Sequence, residues 1–140
     1  MEYPILRQKG PNDCGPTCLA MVAAYFGHIH SIEALSELAE TKQDGTSLEG
    51  LIRAASGIGL ASRGVRVSRA AIHRVPLPVI AHWSENERNH FVVVFEASGS
   101  KITIGDPAVG LREIESPEFQ RSWTGVLLLV APKPDPTVSG

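Results

Sequence analysis

The chain has 140 residues, 43% of them hydrophobic and 20% charged, with a formal net charge of −2. That length fits one domain, and the apolar content suits a globular core rather than a disordered segment. A pI near 6.2 with mixed charges leaves no basic footprint for nucleic acid. Two cysteines do not make a disulfide scaffold, and no apolar run approaches the roughly 18–20 residues of a membrane span. The opening Met1-Glu2-Tyr3-Pro4 lacks the basic-then-apolar order of a secretory signal. A soluble, cytoplasmic domain with reduced thiols is therefore expected.

The first half reads as helices. From Cys14 to Phe26, the residues Leu19, Val22, Ala23 and Phe26 fall at the spacing of one buried helical face. Gly27 can end that helix, because glycine accepts the left-handed conformation after a C-cap. Ser31 can cap a second helix carrying Ile32, Leu35, Leu38 and Ala39. Thr46-Ser47-Leu48-Glu49 reads as a capping box before Leu48, Leu51, Ile52 and Ala55, with Gly57 or Gly59 as the stop.

The second half reads as strands. Pro78 to His82 is short and apolar, and Phe91-Val92-Val93-Val94-Phe95 is β-branched and aromatic. Ser98-Gly99-Ser100 is a turn into Lys101–Gly105, which makes a hairpin. Leu111 to Ile114 is a further strand, Ser116-Pro117 starts a helical turn through Phe119, and Gly125 to Ala131 is a last strand. Helices first and an antiparallel sheet second predict an α+β domain. The alternating prolines of Ala131-Pro132-Lys133-Pro134-Asp135-Pro136 favour an extended tail, as at a linker to further chain.

Chemistry concentrates at Asp13-Cys14-Gly15-Pro16, where a loop turns into a long helix. The unpaired amides and dipole of a helix N-terminus favour an anion, and a thiolate is one. Gly15 would leave room beside the sulfur for a substrate backbone. The alternative is a cysteine that simply packs as a small hydrophobe. A nucleophile needs a base and a group to orient it. Of the five histidines, His28 and His30 read as loop residues, and no further ligand cluster completes a metal site around them. His73 lies in an arginine-rich helical segment and reads as surface. His82 reads as core or edge packing.

His90 differs, since it follows the polar turn Ser84–Asn89 and opens the valine-rich strand. Asp106 comes one hairpin later, so the two should be neighbours across the sheet. The carboxylate could then select the imidazole tautomer and stabilise imidazolium. An ordinary Asp-Pro turn is the competing reading. Gln8 could donate to an oxyanion together with the Cys14 amide, or be a solvated loop residue. Cys18, one helical turn after Cys14, reads as a core or supporting thiol.

These residues resemble the peptidase C39 family of papain-like cysteine peptidases. The likeness rests on QKGPNDCGPTCLAMVAAYFG, on DGTSLEGLIRAA at 44–55, on HFVVVFEASGSKITIGDPAVG at 90–110 and on FQRSWTGVLLLVAP at 119–132. It implies a papain-like fold, a helical lobe packed on a C-terminal antiparallel sheet. The peptidase domain would cover residues 1–132, with 133–140 as a proline-rich tail or linker. It further implies Cys14 as nucleophile, His90 as general base and acid, Asp106 as its orienter and Gln8 in the oxyanion hole, with no cofactor and no metal.

The implied substrate is a precursor peptide with an amphipathic leader, cut after a Gly-Gly-type pair of small residues. The implied partners are the membrane and nucleotide-binding parts of an ABC transporter, at the cytosolic face of the inner membrane, and no nucleic acid. Pro16-Thr17 after Cys14-Gly15 departs from the small residues usual in transporter-linked members, which bears on the substrate rather than on the chemistry. A C39-like domain that binds without cutting, or another papain-like acyl-transfer enzyme, are the alternatives.

Overall fold

In the computed structural model, residues 2–43, 45–85 and 88–133 are described. Three helices lead: α1 (Cys14–Tyr25), α2 (Ile32–Leu38) and α3 (Leu48–Gly57). Next come β1 (Leu60–Arg66), a short 3-10 helix (Arg69–His73), β2 (Val79–Glu85), β3 (Arg88–Ser98), β4 (Lys101–Asp106) and β5 (Gly110–Glu115). Helix α4 (Ser116–Ser122) and β6 (Trp123–Pro132) close the chain. The six strands form one sheet in the order β1-β6-β2-β3-β4-β5, each pair antiparallel.

The α1 segment is apolar all round, and Gly15 to Ala23 are buried without interruption. A helix that is hydrophobic on every side must be enclosed, so the single buried face expected from Leu19, Val22, Ala23 and Phe26 is too narrow a description. Its end is as expected. Gly27 has φ +86, and the amides of Gly27 and His28 reach back to the carbonyls of Ala24 and Ala23 at 3.0 and 2.8 Å, the Schellman arrangement.

Ser31 caps α2, its hydroxyl accepting from the Ala34 amide at 3.1 Å. Leu38, expected on the buried face, is instead exposed. The α3 cap is Ser47, which accepts from Gly50 at 3.0 Å, not a box running from Thr46 to Glu49. The Thr46 hydroxyl bonds that of Thr41 instead, at 2.6 Å. With Ser47 as the cap, the third helical position is Gly50, whose α-carbon lies so close to the Ala39 carbonyl that a side chain would collide with it.

The sheet is covered on both faces. On one, α1–α3 pack on Phe91, Val93, Phe95, Leu128 and Val130. On the other, Ile72, Phe119 and Trp123 pack on Val92, Val94, Ile102, Ile104 and Leu127. Two-sided burial explains why β3 reads as a continuous apolar run rather than an alternation. The β3–β4 hairpin is as expected, with Gly99 at φ +60 in its turn.

Two strands differ from expectation. β1 is an edge strand with mostly exposed residues, so it carries no alternation to read. The polar stretch Ser84–Asn89 is largely strand, since β2 runs to Glu85 and β3 begins at Arg88; residues 86 and 87 lie outside the described residues. His90 is therefore inside β3 rather than its first residue. Most of the proline-rich tail, from residue 134, also lies outside the described residues.

Candidate active site

Cys14 is the first residue of α1. Asp13 precedes it as the cap but does not cap with its side chain. Its carboxylate turns back to accept the amides of Lys9 and Gly10 at 3.1 and 3.0 Å, which shapes the loop leading into the helix. With no acidic residue in its first turn, the positive end of α1 is left to act on the thiol.

His90 stands on β3 beside the end of β4 that carries Asp106. Its Nε2 lies 2.8 Å from Asp106 Oδ1. That bond leaves Nδ1 for Cys14, to which the ring is also hydrogen-bonded. Burial opposes charge on the imidazole and is the largest single influence. The hydrogen bonds to Asp106 and Cys14, with their charges, outweigh it and raise the pKa from 6.5 to about 9.

Asp106 is only 6% exposed, yet every donor around it favours the carboxylate. Oδ1 accepts from His90 and from the Ala108 amide at 2.9 Å. Oδ2 accepts from Arg112 Nη1 at 3.2 Å. Burial pushes its pKa up, but these hydrogen bonds prevail and hold it below the ordinary value.

Gln8 belongs to an N-terminal strap laid over the same turn. Its backbone amide donates to the Pro107 carbonyl at 2.8 Å, and Arg7 donates to the Val109 carbonyl at 2.8 Å. The Gln8 side-chain nitrogen donates to the Gly10 carbonyl at 2.7 Å. An amide nitrogen carries two hydrogens, so one is left for a ligand.

Of the four residues singled out from the sequence, Cys14, His90 and Asp106 are thus joined through the imidazole, and the backbone of Gln8 is tied to Pro107 beside Asp106. Gly15 also has a packing role that was not expected. A side chain there would meet Leu51 and Thr46 at 3.2–3.3 Å, so its smallness serves the packing of α1 on α3.

The remaining candidates stay apart from this chemistry. Cys18 is fully buried, and burial pushes its thiol pKa well up, as for a core thiol. His73 is exposed and sits 3.2 Å from the Ser116 hydroxyl. His82 is half-buried, 3.0 Å from Thr124 Oγ1 and edge-on to Phe91. No cluster of three or more metal-type ligands occurs among the described residues, and no helix there is long and apolar enough to cross a membrane.

Sequence reasoning missed Arg112. The signal was available, since a tight β4–β5 hairpin after Asp106-Pro107-Ala108-Val109-Gly110 sets Arg112 opposite Ile104, two residues from the carboxylate.

A thiol at a helix N-terminus, facing a carboxylate-anchored imidazole between helices and an antiparallel sheet, defines the papain-like class of thiol hydrolases. The chain belongs to the peptidase C39 family, whose model matches residues 2–135. It is 37% identical over 132 residues to the lactococcin-G-processing and transport ATP-binding protein LagD of Lactococcus lactis subsp. lactis. That match covers 92% of this chain but 19% of the transporter, so the chain spans about a fifth of such relatives. An uncharacterised protein of Methanothermobacter marburgensis is 36% identical over 132 residues and is matched over 90% of its length. Among solved structures, a double glycine motif protease from an AMS/PCAT transporter, in complex with the leader peptide, superposes with a TM-score of 0.88. It is 32% identical, with 94% of this chain and 93% of that one covered.

Proposed function

We propose that this domain is a cysteine endopeptidase that cuts the leader from a precursor peptide just after a Gly-Gly-type pair. The observation that carries this reading is the 2.8 Å bond from His90 Nε2 to Asp106, which fixes the ring with Nδ1 toward Cys14.

In this mechanism the Cys14 thiolate attacks the carbonyl carbon of the second small residue. The developing oxyanion takes the Cys14 amide and the second hydrogen of the Gln8 side-chain nitrogen. His90, protonated at Nδ1, gives its proton to the leaving amine as the C–N bond breaks. Water then attacks the thioester, His90 takes its proton, and the leader departs as a carboxylic acid with the thiolate restored. Asp106 holds the ring and stabilises its charge without moving a proton.

The substrate and partners are inferred from the relatives: a leader peptide in complex with the double glycine motif protease, and transporters that process and export. By that analogy residues 1–132 form the peptidase unit, 133–140 link it to membrane and nucleotide-binding parts, and cleavage occurs in the cytosol. A thiol in place on α1 with its imidazole partner argues against a domain that binds leaders without cutting them.

The test is incubation with a synthetic precursor carrying an amphipathic leader and Gly-Gly, read by product mass. Hydrolysis after the second glycine is expected, with none from Cys14→Ala. An intact precursor, or equal cleavage by that variant, overturns the proposal.

A further inference from the structure

Charge is unevenly spread along this chain. Between Glu49 and Glu85 there is no Asp or Glu, whereas Arg53, Arg63, Arg66, Arg69 and Arg74 all fall there. Arg53 is neutralised by Glu40 at 2.9 Å. The other four, on β1 and around the 3-10 helix, are exposed. So is Arg121 of α4. None of these five forms an ion pair among the described residues, in contrast to Lys9, Lys101 and Arg112.

Two of them reach adjacent residues of one segment. Arg66 and Arg69 reach the neighbouring carbonyls of Thr124 and Trp123 at 3.4 and 3.2 Å, close in sequence to Arg121. Arg63 helps wall a hollow of about 320 Å³ lined also by Ala61, Pro76, Leu129 and Ala131. Arg74 lies two residues before Pro76. The basic surface therefore adjoins an apolar one.

We propose that this β1 edge docks on an anionic phospholipid surface. Guanidinium groups match phosphate oxygens in pairs, and an apolar hollow beside them suits the boundary between headgroup and acyl chain. Residues 60–78 contain no Phe, Tyr or Trp, so the surface lacks the stacking platforms of single-strand nucleic-acid binders. Docking there leaves the cleft open. β6 and β2 separate β1 from β3, which at about 4.8 Å per strand puts His90 some three strand spacings from the basic edge.

The whole chain, sedimented with vesicles of equal parts phosphatidylglycerol and phosphatidylcholine, tests this independently of cleavage. Binding is expected, weakening steeply as salt rises, and absent with phosphatidylcholine alone. Each arginine at such a surface is worth about fivefold in binding, so Arg63→Glu with Arg74→Glu should lower it by roughly 25-fold or more. Neither side chain makes a hydrogen bond or ion pair among the described residues, and an unchanged circular dichroism spectrum would show that the variant folds. Failure to bind the anionic vesicles, or binding indifferent to the two reversals, overturns the proposal. Equal retention by duplex DNA, or displacement by millimolar inorganic phosphate, overturns it in favour of another phosphate source.

Discussion

Arg112 holds the oxygen of Asp106 that His90 does not use, Nη1 to Oδ2 at 3.2 Å. Its other terminal nitrogen faces Glu118 of α4 at 4.0 Å. The carboxylate is thus fixed from both sides, and its angle to the imidazole is set by a residue on the edge strand β5. Arg112→Met should let Asp106 rotate, lowering kcat by about tenfold with KM little changed, because hydrogen bonds to charged groups carry roughly 1.5–3 kcal/mol. Removing this guanidinium should also raise the Asp106 pKa, observable in a carbon-13 titration of the carboxyl. Arg112→Lys keeps the charge and should recover part of both. A kcat and a titration unaffected by either change would remove Arg112 from the positioning set.

In the proposed mechanism the imidazole sets the alkaline limit. With the His90 pKa raised to about 9, kcat/KM should fall above pH 9 as the leaving amine loses its proton donor. Asp106→Asn removes the largest of the effects that raise this pKa, so the limit should move down toward 6.5. The pH profile of cleavage by the two proteins checks this. Stability follows the same sign. A raised pKa contributes stability fully below 6.5, which declines from there and is lost as pH passes 9. Denaturant unfolding at pH 6 and pH 10, for wild type and His90→Gln, should differ by at most about 3 kcal/mol. Asp106, with its pKa depressed, acts oppositely: its contribution is present above the ordinary carboxyl value and is lost on acidification through the folded one.

The two thiols should separate cleanly under alkylation. Cys14 is half-exposed and bonded to His90, whereas Cys18 is fully buried and its thiol is held protonated. Iodoacetamide at neutral pH should therefore add once, at Cys14, and abolish cleavage. Peptide mapping gives the site. Adduct formation at Cys18 in the folded protein would contradict the burial described.

What could be read from the sequence divides along physical lines. The meeting of Cys14, His90 and Asp106 was legible because each sits where backbone geometry is local: a loop-to-helix junction, a strand, and a hairpin that returns Asp106 to His90. The two-sided core of β3 was legible as an unbroken apolar run. β1 was not, because an exposed edge strand needs no alternation. The packing role of Gly15 was not legible because its neighbour, Leu51, comes from a helix far along the chain, and packing between distant segments leaves no local pattern. The Ser47 cap was missed by one residue because Thr46 and Ser47 both carry capping hydroxyls, and only the tertiary bond from Thr41 to Thr46 decides between them.

Gly15→Ala tests that packing. The added methyl would stand 3.2–3.3 Å from Leu51 and Thr46, a contact that must push α3 away from the start of α1. Overpacking of this size costs about 1–3 kcal/mol, read as a lower denaturant midpoint with an unchanged m-value. Because Gly15 follows Cys14 directly, the same displacement should shift the sulfur relative to His90 and lower kcat more than KM. Leu51→Val in the same chain trims the side chain that the methyl meets, so the double variant should regain part of both losses. Stability restored without any return of kcat would mean that Gly15 governs activity by access to the sulfur.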